Sequence, residues 1–273
     1  MTPVPHGKAA SVVIPAAQPT LYIVGDIHLR DGAGPFPVFL DLLRRRPPAR
    51  LVILGDLFEY WLETADAVTR YQPVLDRLLG LRAAGWQLDL VRGNREMAAG
   101  RLLAASSGCT LHWPRLDLRL GQRRVRIVHG DRLINDPGYR ALRAWIGSFW
   151  HAGWQLLHPA AIQDWVARSL RRNSSSQRPR AYRVITVDPR RAHAAARGAC
   201  DTLVAGHIHE QWRRIIGGVD VLLVGDWPDN LGQWIEGHAD GSLVHRRFDF
   251  SEALSQPLAK PLSEAQESQK SHG

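Results

Sequence analysis

The chain of 273 residues is 45% hydrophobic and carries Lys+Arg 35 against Asp+Glu 26, a formal charge of +9 that is almost wholly arginine. That length can bury a sizeable core, as one large domain or one domain with an insertion, and two cysteines, Cys109 and Cys200, exclude a disulfide framework. No apolar run approaches the roughly 20 residues of a membrane-spanning helix, and residues 1–20 lack the pattern of a signal peptide. The expectation is a cytoplasmic protein, soluble or peripheral, with reduced thiols and an anionic partner: nucleic acid, a membrane surface or a phosphorylated small molecule.

Residues 1–19 are rich in Pro and Ala and are expected to be disordered. The apolar run 21–24 has strand length and ends at a turn signal, Gly25-Asp26-Ile27-His28. Helical spacing over 36–46 closes at Pro47-Pro48. Residues 51–54 form a second buried strand, ending at Gly55-Asp56, and a long helix is predicted over 66–84. A third strand, 88–91, ends at Gly93-Asn94-Arg95-Glu96, and a helix over about 97–105 leads to Gly108. Basic and apolar residues alternate over 124–128 before His129-Gly130-Asp131.

The segment 139–172 differs in character. It holds Trp145, Trp150, Trp154 and Trp165 among several Arg, at helical spacing, and reads as a helical insertion that a polar linker, 173–177, brings to an end. Then follow a helix over 188–196, a strand at 202–205 ending at Gly206-His207-Ile208-His209, a strand at 219–224 ending at Gly225-Asp226, and a last strand at 243–250. From 251 to 273 the chain is polar and reads as a loose tail. Strands alternating with helices in the first half, and dominating the second, predict an α/β sandwich with a mixed sheet, one domain over 20–250.

Five strand ends carry ligand-type side chains: Asp26 with His28, Asp56, Asn94, His129, and His207 with His209. In open α/β sheets ligands gather at the carboxyl ends of strands. Carboxylate with imidazole suits Mn, Fe or Zn rather than Ca. His207 and His209 would point oppositely along a strand, so they must lie in a turn to converge. His6, His112, His151, His158, His193, His238 and His245 stand outside any motif and read as ordinary surface or satisfied histidines.

The ordered series GDIHL, GDLFEYW, GNRE, HGD and GHIH resembles the calcineurin-like metallophosphoesterase superfamily over about 21–250. The resemblance implies two divalent ions, Mn²⁺ first among them. One would take Asp26, His28, Asp56 and His209, and the other Asp56, Asn94, His129 and His207. It also implies that Asn94, Arg95 and His207 act on the phosphoester. Where most members have GNH, this chain has Arg95. An arginine donates no proton usefully but neutralises charge with a bidentate fork, which favours a leaving phosphate over an alkoxide.

At finer scale the chain is similar to the UDP-2,3-diacylglucosamine pyrophosphatases of lipid A synthesis. Gly55–Trp61, the GNR, the HGD followed by Asp136-Pro137-Gly138-Tyr139, and Arg171-Arg172-Asn173-Ser174 carry that likeness. It implies a UDP-linked lipid substrate held by Arg95, Asp136, Ser174, Arg178 and Arg180, with Trp145 and Trp150 of the insertion as an apolar lid. It further implies peripheral contact with the cytoplasmic face of the inner membrane, and a monomer or weak oligomer is expected. The aromatics cluster at apolar helical positions rather than in a single-strand platform, so no nucleic-acid partner is expected. The insertion could instead be a packed helical hairpin with core Trp residues, or a dimer contact. The chain departs from the pattern at Glu96, where the family has Asp, and at GHIHEQW. Two other readings stand beside this one: a pyrophosphatase or phosphodiesterase for another nucleotide-linked or soluble dinucleotide substrate, and a catalytically silent scaffold, which would have lost ligands.

Overall fold

The computed structural model describes residues 18–30, 33–96, 99–135, 186–197 and 200–255. The apolar runs form strands β1 (Leu21–Val24), β2 (Arg50–Ile53) and β3 (Gln87–Val91). They pair in parallel with one another and with β4 (Thr110–His112). Two antiparallel strands, β10 (Leu231–Gly237) and β11 (Leu243–Asp249), extend this sheet to the order β11-β10-β1-β2-β3-β4. A second sheet has β6 (Arg123–Val128), β7 (Thr202–Ala205) and β9 (Val219–Val224) in parallel, edged by antiparallel β5 (Arg115–Leu120) and β8 (Gln211–Ile216).

Alternate residues of each strand serve two cores. Leu21, Ile23, Val52, Leu54 and Val91 of the first sheet meet Val125, Ile127, Val204, Leu222 and Val224 of the second, which makes a β-sandwich. The other face of the first sheet, with Tyr22, Val24, Leu51, Ile53, Leu88 and Leu90, is covered by α1 (Pro35–Arg44) and α2 (Ala65–Ala83). The outer face of the second sheet packs on Ala192 of α4 (Pro189–Ala196). The result is the expected α/β sandwich of two mixed sheets flanked by helices. Strands buried on both faces explain why they read as continuous apolar runs, and each such side chain contributes about 1.5–3 kcal/mol.

The helix starts follow local chemistry. Thr64 caps α2 by accepting from the Ala67 N–H at 3.3 Å, and Asp188 caps α4 by accepting from Arg190 and Arg191 at 2.8 and 3.3 Å. The helix expected over 97–105 begins later, as α3 (Arg101–Ser107). Its start is set by the distant carboxylate of Glu63, which accepts the N–H groups of Gly100, Leu102 and Leu103 at 2.8–3.3 Å. Strands β4, β5, β8 and β10 lie in stretches for which the sequence predicts no element. The tail expected from 251 gives way at its first five residues to α5 (Ser251–Ser255). The predicted insertion, the linker after it, and residues 1–17 and 256–273 lie outside the described residues, and so do Asp136, Trp145, Trp150, Ser174, Arg178 and Arg180.

The parallel strands of both sheets end at one edge of the sandwich. No described helix is long and apolar enough to cross a membrane.

Candidate metal centre

All seven predicted ligand-type residues converge at that edge. The first sheet delivers Asp26, His28, Asp56 and Asn94 from beyond β1, β2 and β3. The second delivers His129, His207 and His209 from beyond β6 and β7. Ligand atoms of Asp26, His28 and His209 lie within 4.8 Å of one another, and those of Asp56, His129 and His207 do likewise.

The backbone is bent to achieve this. Among the described residues six non-glycines have positive φ, and five of them are Asp26 (51°), His28 (53°), Asp56 (48°), His207 (67°) and His209 (61°). A left-handed residue reverses the usual alternation, so 26 and 28, and likewise 207 and 209, face one point. Such conformations cost on the order of 1–3 kcal/mol each and concentrate at functional sites. Glycine permits the approach of neighbouring backbone: a Cβ on Gly93 would strike Asp56, and one on Gly206 would strike Oδ2 of Asp26.

Asp56 stands between the two groups. Its Oδ1 lies 3.6 Å from His129 Nε2 and its Oδ2 lies 3.9 Å from His28 Nε2. The Arg95 backbone N–H donates to Oδ1 at 3.0 Å. Asn94 Oδ1 and His207 Nδ1 approach His129 Nε2 at 2.9 and 3.2 Å, while His129 Nδ1 faces the Leu54 carbonyl at 2.7 Å. In the other group, His28 Nε2 and His209 Nε2 are 3.3 Å apart, with Asp26 Oδ1 3.7 Å from the latter.

This donor set fits cations. With Nδ1–H given to Leu54, the lone pair of His129 Nε2 points at two oxygen acceptors, Asp56 Oδ1 and Asn94 Oδ1, and Asp26 Oδ1 is buried with no hydrogen-bond partner among the described residues. Without an ion, protons must resolve the conflict. Burial pushes the Asp26 carboxyl up to about 7. Burial also pushes His207 down to about 3, with His129 adding to the effect, and His28 down to about 4. Burial opposes the charge on His129, but Asp56 and Asp26 outweigh it and raise that group. Burial likewise opposes the Asp56 carboxylate, and His129 and His28 outweigh it and hold it low. A bound dication would hold the carboxylates ionised and the imidazoles neutral.

Glu96 underlies the first-sheet loops. Fully buried, it accepts the N–H groups of Asp56 at 2.8 Å, Phe58 at 3.1 Å and Gly93 at 3.3 Å. Burial and the Asp56 charge raise it to about 7. The Arg95 side chain lies 3.9 Å from both Asp56 Oδ2 and Glu59 Oε1, beyond hydrogen-bond reach of either. Trp61, read as part of a motif, is a core residue stacked near Phe58 and Tyr71. His112 and His245 are satisfied by Asp89 and the Leu223 carbonyl, as expected of histidines outside the motifs. The sequence reading passed over Asp226, whose Oδ2 lies 3.4 Å from His209 Nδ1.

Residues 19–211 match the calcineurin-like phosphoesterase family. The chain is 33% identical over 244 residues to the UDP-2,3-diacylglucosamine hydrolase of Pseudomonas putida (strain W619), covering 85% of this chain and 100% of that one. It is 34% identical, with the same coverage, to the protein of that name from Pseudomonas entomophila (strain L48). The identity is 30% to that of Klebsiella pneumoniae, over 88% of this chain and 99% of that one. The family match takes in every strand end that bears a predicted ligand, and the chain belongs to the calcineurin-like phosphoesterases.

Proposed function

We propose that this chain hydrolyses the pyrophosphate bond of UDP-2,3-diacylglucosamine at the α-phosphorus, giving UMP and 2,3-diacylglucosamine 1-phosphate. The observation that carries the reading is the Asp56 carboxylate, whose two oxygens face two separate histidine groups, in a chain that matches its relatives nearly end to end. Asp26, His28, Asp56 and His209 would hold one divalent ion, and Asp56, Asn94, His129 and His207 the other. The mixed oxygen and nitrogen donors suit Mn²⁺. When bound, such a pair supplies Lewis acidity at the phosphoryl oxygens and lowers the pKa of water.

The chain's own groups do the rest. Asn94, Arg95 and His207 are assigned to the attacked phosphate. The Arg95 guanidinium neutralises charge as the bond from the α-phosphorus to the bridging oxygen breaks and that electron pair leaves with the sugar phosphate. Substrate contacts by Asp136, Ser174, Arg178, Arg180, Trp145 and Trp150 rest on the motif resemblance. A lipid-bearing substrate and the +9 charge support peripheral contact with the cytoplasmic face of the inner membrane.

The test is UMP release with Mn²⁺ from detergent-dispersed UDP-2,3-diacylglucosamine, beside UDP-GlcNAc and a dinucleoside polyphosphate. The lipid substrate should far outcompete the soluble ones. UMP from the soluble substrates alone would overturn the lipid assignment.

A further inference from the structure

The four imidazoles of the centre differ in what stands behind them. His129 has the neutral Leu54 carbonyl at Nδ1, at 2.7 Å. His28 Nδ1 has no hydrogen-bond partner among the described residues. His207 faces the cluster through Nδ1 itself. Behind His209 Nδ1 stands a carboxylate, Oδ2 of Asp226 at 3.4 Å, while its Nε2 turns toward Asp26 and His28. An imidazole that gives Nδ1–H to a carboxylate is fixed in the tautomer whose Nε2 lone pair is free, and that lone pair becomes more basic.

Asp226 is built to hold its place. It follows β9 through Gly225, at φ 89°, where a Cβ would strike the Gln233 amide. It precedes Trp227, which is 7% exposed and packs edge-on against Phe36 and Phe39 with centroids 5.4 and 5.3 Å away. A short side chain thus projects from backbone pinned on both sides. His209 is the converse. Its side chain is 36% exposed, against 20% for His28 and 3% for His129, so packing restrains its ring least of these three.

We infer that Asp226 is a positioning residue that fixes the tautomer and ring orientation of His209, and so tightens the ion held with Asp26 and His28 while leaving the other ion untouched. The inference rests on the two-ion reading proposed above.

The experiment is Mn²⁺ titration of the metal-stripped full chain by calorimetry, with ¹⁵N spectra of the histidine rings in the ion-free protein. Wild type should bind two ions. Asp226→Ala should weaken one step by about 10–100-fold and spare the other. Asp226→Asn, which keeps an acceptor without the charge, should fall between and carries the test alone if the alanine variant does not fold. The His209 ring should show Nδ1–H in wild type and a tautomer mixture in Asp226→Ala. Equal weakening of both steps, or an unchanged His209 ring, would overturn the inference alone. A wild-type chain that binds fewer than two ions would overturn the two-ion reading and the inference together.

Discussion

His207 donates its backbone N–H to Oδ2 of Asp26 at 2.6 Å, across 181 positions of sequence. One oxygen of Asp26 therefore holds the turn that presents His207 and His209, and the other faces His209 Nε2. Asp26→Asn can keep the first contact through its amide oxygen but then turns an NH2 group, which offers a cation no lone pair, toward His209 Nε2. The variant should fold with a thermal midpoint near that of wild type, retain about one of two Mn²⁺ ions, and lose more than ~100-fold in turnover. Metal analysis beside thermal denaturation checks this, and an undiminished metal content would count against Asp26 as a ligand.

Two glycines should respond to alanine with opposite signs. At Gly93 an added Cβ meets the Asp56 backbone nitrogen at 2.6 Å, so Gly93→Ala must move the loop carrying Asn94 or the one carrying Asp56. We expect a loss of about 1–3 kcal/mol and weaker metal binding. Gly80 lies inside α2, where the nearest atom to such a Cβ is Arg44 Nη1 at 3.6 Å. There the change should add up to about 1 kcal/mol through helix propensity alone. Denaturant unfolding of both variants measures the contrast.

What was legible in the sequence follows from these contacts. Strands buried on both faces announce themselves as apolar runs, and a ligand-type side chain just past such a run is visible beside it. β10 was not, because its Gln233 and Glu236 look like surface residues. They are buried, and Arg246 donates to Glu236 at 2.8 Å from the neighbouring strand. The start of α3 depends on Glu63, far upstream. Asp226 stood in the sequence only as the end of the strand at 219–224, since nothing local ties it to His209. Partners supplied by tertiary structure leave no periodic trace.

The backbone of Arg95 has a structural contact that is separate from the proposed role of its side chain. The backbone N–H holds Asp56 Oδ1 at 3.0 Å whatever the side chain, while the side chain is 28% exposed and its guanidinium 3.9 Å from the Asp56 and Glu59 carboxylates. Arg95→Ala should therefore keep both Mn²⁺ ions and lower kcat on the pyrophosphate substrate by about 10²–10³-fold. Arg95→Lys should recover only part, lacking the planar fork. Steady-state kinetics with metal analysis decides it, and unchanged turnover in the alanine variant would remove the role.

Far from the site, Asp220 of β9 ties three other strands, β6, β7 and β8, to its own. It accepts from Arg213 at 2.8 and 2.9 Å, from Thr202 at 3.0 Å and from Arg123 at 3.1 Å. Burial pushes its carboxyl up, but Arg213, Thr202 and Arg123 outweigh that and hold it below the ordinary range. A carboxylate depressed in the folded state contributes stability that is fully present above its unfolded pKa of about 3.9, and loses it as pH falls through the folded value. Asp220→Asn should thus cost about 1–3 kcal/mol at pH 7. The gap to wild type should hold down to about pH 4 and then close as the wild-type carboxyl protonates. Urea unfolding across that range reads the gap directly, and a difference that stays constant below pH 3 would mean that packing, not charge, makes the contribution.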